Sequence, residues 1–329
     1  MKTRIDTNPT ITTLLFILLI TTLIACTGPE KNDSLRNQEL QTDYALKIDS
    51  LIMTTSPRFF NGVILITQNG EKKYEKAYGY SNFEKKTPIS IHDRFRIMSN
   101  SKQVTAVLIL EEVQKGTIDL QNHISAYLPE LKQHWADSVT VHQLLNMSSG
   151  IQDLEKPLLF KPGLGYHYSN PGYGLLGRII EKVSGKSYTE NANTLFQKLN
   201  LNDTYCYSMD GENPGLISSY ALREGKTETV DFTRFGFSET SWNDFLPAGG
   251  VISSAYDMNK WDSKLHNGGI LNDSCYQQMI TPSNSGPHAV FDYDTIGYAY
   301  GLRVHDKYPV HIGHGGRGFG FVSLKFYIP

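Results

Sequence analysis

Phe95-Arg96-Ile97-Met98-Ser99-Asn100-Ser101-Lys102-Gln103-Val104-Thr105-Ala106 is the stretch that decides how this chain folds. It opens a helix: Val104, Val107, Leu108 and Val113 recur on one face, and Gly116 ends it. Ser99 and Lys102 are almost one turn apart, so their side chains can meet. A serine hydroxyl is a weak nucleophile until a base takes its proton. A lysine can be that base once burial or a cationic neighbour lowers its pKa. The helix N-terminus also favours negative charge developing at Ser99. The spacing alone is weak, since a chain this long holds about one Ser-x-x-Lys match by chance. A capping serine followed by a solvated lysine would read the same way.

Upstream, Gly62 to Thr67 is a β-rich run, Asn69-Gly70 is a hairpin turn, and Lys72 to Tyr78 returns as the second strand. Before it, Tyr44, Ile48, Leu51 and Ile52 recur at helical spacing, with Thr42 placed to cap them. Downstream, residues 120 to 245 are helical and loop-rich. One helix there is marked by Pro171 in its first turn, then Leu175, Leu176, Ile179, Ile180 and Val183, then Gly185. After Pro247 strands and one more helix return. Tyr298 to Val304, Val310 to His314 and Phe321 to Ile328 read as neighbouring strands. No internal repeat is present. The pattern predicts a discontinuous α/β subdomain holding a helical insert, with a ligand cleft between the parts.

The flanks make the nucleophile stretch specific. It resembles the nucleophile motif of class C β-lactamases, serine D,D-peptidases, D-aminopeptidases and related esterases, the β-lactamase and penicillin-binding-protein family. Phe60-Asn61-Gly62-Val63 and Tyr78-Gly79-Tyr80-Ser81-Asn82 resemble that family's opening hairpin. Tyr127-Leu128-Pro129-Glu130 follows in place, and Leu144-Leu145-Asn146-Met147-Ser148-Ser149-Gly150-Ile151 resembles its Leu-Leu-x-x-x-Ser-Gly turn. Pro247-Ala248-Gly249-Gly250 and Asn267-Gly268-Gly269 match later landmarks. The likeness spans residues 43 to 329. It implies a β-lactamase-like α/β (α+β) fold, an antiparallel sheet flanked by helices with a helical insert subdomain. It implies Ser99 as nucleophile and Lys102 as its activating base.

Tyr168-Ser169-Asn170 resembles the family's second motif, Tyr-x-Asn. The resemblance makes Tyr168 a proton relay to the leaving group, and Asn170 a partner of Lys102 and of the substrate's acyl-side amide. Asn170 before Pro171 is also an ordinary place for a helix cap. Tyr80-Ser81-Asn82 has the same letters but precedes the nucleophile, against the family's chain order. His314-Gly315-Gly316 resembles the third motif, on the strand lining the cleft. Its rivals are His311-Ile312-Gly313 and His266-Asn267-Gly268. His311 and His314 lie three apart, so on a regular strand they face opposite sides. By the same resemblance, Gly316 lies against the substrate, and the backbone N–H groups of Ser99 and Arg317 form the oxyanion hole.

Two departures qualify the likeness. Class C β-lactamases carry Lys-Thr-Gly at the third motif, and here a fixed ammonium and a hydroxyl are replaced by His314 and Gly315. The expected chemistry is therefore acyl-enzyme hydrolysis of ester or amide bonds, esterase-, amidase- or D-aminopeptidase-like, with weak or no β-lactamase activity. Activity on carboxylated substrates is expected to rise toward pH 6, as His314 gains a proton. The alternatives are a non-turnover penicillin-binding or sensor protein of the same fold, a D,D-carboxypeptidase or β-lactamase, and a structural cell-wall protein. Intact Ser99, Lys102 and Tyr168 favour the hydrolase. The second departure is the end at Pro329, where the family continues with a strand and a C-terminal helix, so both are expected to be missing.

The chain has 329 residues, 40% of them hydrophobic, enough for a sizeable core. Its net charge of −2 and the absence of a long basic run argue against nucleic acid as a partner. Lys2 and Arg4 precede an apolar stretch, Ile11 to Ile24, too short for the roughly 20 residues that span a bilayer. It reads as a secretory signal peptide, residues 1–25. Leu23-Ile24-Ala25-Cys26 resembles a bacterial lipobox, which implies cleavage before Cys26 and its lipidation. Residues 26–42 read as a polar spacer. The expectation is an enzyme held at the bacterial cell envelope by a lipid anchor, acting on a small-molecule or peptide substrate. Cys206 and Cys275 read as small buried hydrophobes rather than a bridge. No metal-ligand cluster or phosphate-binding glycine loop is present, so no cofactor is expected.

Overall fold

The computed structural model describes residues 44–54, 60–288 and 294–329. The leader, Cys26, the polar spacer and the cap expected at Thr42 lie outside the described residues. The chain divides into two units, Met1–Phe60 and Asn61–Pro329. In the first, residues 44–54 form the helix that the apolar spacing anticipates. The Thr54 hydroxyl closes its last turn by donating to the Ser50 carbonyl at 2.6 Å.

Five antiparallel strands run in sequence order across one sheet: Asn284–Pro287, Thr295–Tyr298, Arg303–His305, His311–Gly318 and Phe321–Tyr327. His311–Gly318 contains four glycines, which ordinarily weaken a strand. Here close packing demands them. A Cβ at Gly313 would fall 2.0 Å from the Lys325 carbonyl oxygen, and one at Gly316 would fall 2.2 Å from that of Ile97. The nucleophile turn is thus pressed onto the sheet. The Gly62–Gln68 and Glu71–Tyr78 hairpin forms as expected, with Asn69 and Gly70 both at positive φ.

The run Tyr298 to Val304, expected as one strand, is two. Residues 299–302 make a turn with Gly301 at φ +68°, and the Ala299 N–H donates to the Leu302 carbonyl at 2.9 Å. The turn is buried, so its residues are apolar and imitate a strand. A Cβ at Gly301 would lie 2.6 Å from the Lys102 carbonyl oxygen. The turn therefore braces the nucleophile helix and makes Tyr298 and Arg303 direct neighbours across two strands.

That helix, Ser101–Lys115, is buried from Ser101 through Leu110 and ends at left-handed Gly116. A helix buried on every side needs apolar or fully bonded residues all round, which Val104 to Leu110 supply. Asn170–Ser184 packs beside it and against Glu239–Gly249, where a Cβ at Gly177 would fall 2.3 Å from Pro247 Cγ. Pro247 lies inside that last helix rather than before a strand, and two helices follow it, Ala255–His266 and Asp273–Ile280, where one was expected. Cys206 and Cys275 are free and buried. Among the described residues, no helix is long and apolar enough to cross a membrane.

Candidate active site

Ser99 sits in a short 3-10 turn, Met98–Asn100, that leads into the helix. Met98 before it is buried with φ +49°. A non-glycine residue in the left-handed region stores roughly 1–2 kcal/mol. The surrounding contacts hold that strain and present Ser99 half-buried at the cleft.

Lys102 is fully buried. Its Nζ lies 2.8 Å from Asn170 Oδ1, 2.8 Å from the Ala248 carbonyl oxygen and 3.4 Å from Ser99 Oγ. No carboxylate pairs with it among the described residues. Burial, and next the Arg303 guanidinium, push its pKa well below the ordinary lysine range. A neutral amine has two N–H groups and one lone pair. Both N–H groups are taken, by Asn170 and by Ala248. In that neutral form the lone pair would be left for the Ser99 O–H, whereas the ammonium form donates to Ser99 Oγ as well.

Ser169, not Asn170, caps the next helix: its Oγ accepts the Gly172 N–H at 2.9 Å. Asn170 is thereby free to face Lys102 from an exposed position. The Tyr168 ring lies 4.7 Å from Lys102 Nζ. Its hydroxyl is buried without a partner of normal geometry. Burial raises its pKa strongly, while Ser99 and then Arg303 act in the other direction. A buried hydroxyl with no acceptor of its own is costly, and substrate can satisfy it.

His314 enters the site, but not as a donor to substrate. Its Nδ1 lies 2.6 Å from the Gly315 carbonyl, which only an N–H can satisfy, so Nε2 is left as acceptor for the Tyr298 hydroxyl at 3.3 Å. Both ring nitrogens are spent. Burial first, then Arg303 and Lys102, hold its pKa well below the usual histidine range. The expected gain of a proton near pH 6 is therefore corrected. Between pH 7.5 and 5.5, the ratio of kcat/KM for an anionic ester to that for a neutral ester should show no His314 titration. An inflection near 6.5 that vanishes in His314→Gln would contradict this.

The fixed charge missing from the third motif comes from another strand. Arg303 pairs with Gly313 across the sheet, and its guanidinium carbon lies 5.7 Å from the centre of the Tyr168 ring. Its positive charge also opposes the rise that burial causes in the Tyr166 pKa. A Cβ at Gly315 would lie 4.0 Å from Arg303 Nη1. Among the described residues Arg303 has no acidic partner. Sequence reading missed it, along with Tyr298, Tyr166 and the Ala248 carbonyl, because nothing local marks them.

Ser99, Lys102, Tyr168, Asn170 and His314 thus converge. Gly316 touches the nucleophile turn rather than open cleft, and Arg317 extends an exposed side chain from the same strand. The rivals fall elsewhere. Tyr80–Asn82 pairs with Thr87–Pro88, His311 stacks with His305 and meets the Phe326 ring edge-on, and His266 stacks on Tyr327. Among the described residues no group of His, Cys, Asp and Glu could hold a metal.

A serine and a buried lysine at a helix start, faced by tyrosine and asparagine beside an antiparallel strand, are the arrangement of the β-lactamase-like class of fold. The chain belongs to the Beta-lactamase family, whose model matches residues 53–325. The family is one of serine hydrolases. The chain is 28% identical over 224 residues to "Protein flp" of Staphylococcus aureus (strain N315), which covers 60% of this chain and 44% of that one. To "Penicillin-binding protein 4*" of Bacillus subtilis (strain 168) it is 26% identical over 299 residues, 80% of this chain and 64% of that one. The chain thus spans about half to two thirds of these relatives. Among solved structures, the octameric penicillin-binding protein homologue from Pyrococcus abyssi superposes with TM-score 0.71 at 27% identity, covering 81% of this chain and 66% of that one. A D-stereospecific amidohydrolase from Streptomyces sp. gives TM-score 0.62 at 25% identity, covering 72% and 78%.

Proposed function

We propose that this chain is a serine hydrolase that forms an acyl-enzyme on Ser99 from an ester or amide substrate. The carrying observation is Lys102, fully buried, with no acidic partner among the described residues and with Nζ in reach of Ser99 Oγ, Asn170 Oδ1 and the Ala248 carbonyl; in its neutral form the lone pair would face Ser99. Attack of Oγ on the carbonyl passes the serine proton to Lys102. The Tyr168 hydroxyl would hand a proton to the leaving group, and the N–H groups of Ser99 and Arg317 would receive the oxyanion. Water then hydrolyses the acyl-enzyme by the reverse proton path. A lipid anchor at Cys26 at the cell envelope remains part of the proposal on the sequence alone. The test is a fluorophosphonate label mapped by peptide mass: the adduct is expected on Ser99, and an adduct on Ser101 or Ser148 with none on Ser99 would end the assignment.

Arg303 specifically favours a second reading, in which the substrate carries a carboxylate. A guanidinium grips carboxylate bidentately and is a permanent cation. The weak activity expected on carboxylated substrates, inferred from the missing lysine, loses its ground once this charge is counted. A D,D-carboxypeptidase or β-lactam-binding role therefore stands beside the esterase and amidase roles.

A further inference from the structure

The nucleophile motif spells Ser-Asn-Ser-Lys, and the reaction uses only its ends. The two residues between are buried and polar, with 1% exposure at Asn100 and 0% at Ser101. Neither side chain reaches into the cleft. Ser101 Oγ accepts the Val251 N–H at 3.0 Å, which ties the turn to the strand Val251–Ser253. Asn100 Nδ2 donates to Ser323 Oγ at 2.8 Å, and Ser323 Oγ donates on to the Ile97 carbonyl at 2.6 Å. Ser323 lies on the strand Phe321–Tyr327, directly across from Gly316.

The Asn100 amide has its orientation set from behind. Gln103 Nε2 donates to Asn100 Oδ1 at 3.0 Å, and Gln103 Oε1 accepts from Lys325 Nζ at 2.8 Å. Lys325 is buried and paired with Asp262, so it can only donate. The direction of every bond from Lys325 to Ile97 follows. Ser323 and Lys325, two apart on one strand, thus face the turn together.

The geometry has one consequence for catalysis. The oxyanion hole takes one N–H from Ser99, on the turn, and one from Arg317, on the strand next to Gly316. Their spacing depends on how that strand sits against the turn. Gly316 lets the two close up, because a Cβ there would fall 2.2 Å from the Ile97 carbonyl oxygen and 2.6 Å from Ser323 Oγ. The Ser323 hydroxyl then fixes the approach, bonded on one side to Ile97 and on the other to Asn100, so that it brackets Met98 and Ser99.

We propose that Asn100 and Ser323 are positioning residues that set the spacing of the two oxyanion-hole donors, with Gln103 and Lys325 orienting them. The proposal rests on the acyl-enzyme reading above. Displacing a donor by about an ångström can cost up to about 100-fold in rate, and part of that displacement is expected on losing one tether.

The experiment uses the full chain, with parent, Ser323→Ala, Asn100→Ala and the double variant. Acylation of Ser99 by a nitrophenyl ester is followed in single turnovers, and the affinity for an arylboronic acid, which forms a tetrahedral anionic adduct on the serine, is measured alongside. Each single variant should acylate ~10- to 30-fold more slowly, with KM changed less than about threefold, and should lose boronate affinity by a similar factor. The double variant should be no worse than the poorer single one, since the two residues act as one unit. Ser323→Thr, which keeps the hydroxyl, should recover most of the rate. Parent-like acylation and boronate binding in folded variants overturn the proposal. So do losses that add in the double variant, or a melting-temperature drop with catalysis intact. If the parent itself fails to label at Ser99, the acyl-enzyme reading has failed instead, and this proposal falls with it.

Discussion

Lys102→Met abolishes acylation: the rate at which a fluorophosphonate or activated ester modifies Ser99 falls by at least ~10³-fold while the protein stays folded. Removing the base of a nucleophile pair costs orders of magnitude because the hydroxyl then attacks with its proton in place. The variant should also report on the lysine's protonation. Burial and the Arg303 charge lower the Lys102 pKa in the folded protein, whereas the unfolded chain titrates near the ordinary lysine value. Between those two values the unfolded chain binds one more proton than the folded one. Parent stability therefore rises with pH across that window, by about 1.4 kcal/mol per pH unit from this group, and the burial penalty is gone above the unfolded value. Methionine carries no such penalty. The stability difference between variant and parent should accordingly favour the variant more at the lower pH values and shrink toward pH 10. Denaturant titrations at three pH values measure it. A difference that does not change with pH would mean that Lys102 is charged in the folded protein and does not act as base.

Arg303→Gln separates substrates by charge. A charge-assisted contact is worth roughly 1.5–3 kcal/mol, which at 1.4 kcal/mol per decade is about ten- to a hundredfold. The value of kcat/KM for an ester with a carboxylate beside the scissile bond should fall by that factor. A neutral ester of the same acyl group should change less than about threefold at its optimum. Loss of the guanidinium also lets the Lys102 pKa climb, so the rising limb for the neutral ester should move to higher pH. Equal losses for both esters would show that Arg303 supports the site without reading charge, and the carboxylate reading would be withdrawn.

The sequence by itself determined the parts whose logic is local. Ser99 and Lys102 share a helix turn, so their meeting needs only helix geometry. The Asn69-Gly70 turn, the Pro171 start and the glycine ends at 116 and 185 each announce a backbone conformation that one or two residues enforce. Tyr168 and Asn170 were legible through the family resemblance, and the strand period separated His314 from His311. Only the tertiary structure decided the rest. The Lys102 pKa is lowered because the interior removes water and the Arg303 charge lies near, and its amine meets the Ala248 carbonyl, far along the chain. The buried turn at 299–302 read as strand because burial selects apolar residues for both, and Arg303 was hidden with it. The charge near the third motif could not be read from His314-Gly315-Gly316, since Arg303 sits on the neighbouring strand, paired with Gly313. His314 itself looks like a titrating donor in one dimension. It is silent in three because Tyr298 and the Gly315 carbonyl take both nitrogens and burial removes the solvent that would stabilise its charge. Which side chain a residue meets across the sheet, and how much water reaches it, are set by packing between distant segments, and packing has no period to read along a chain.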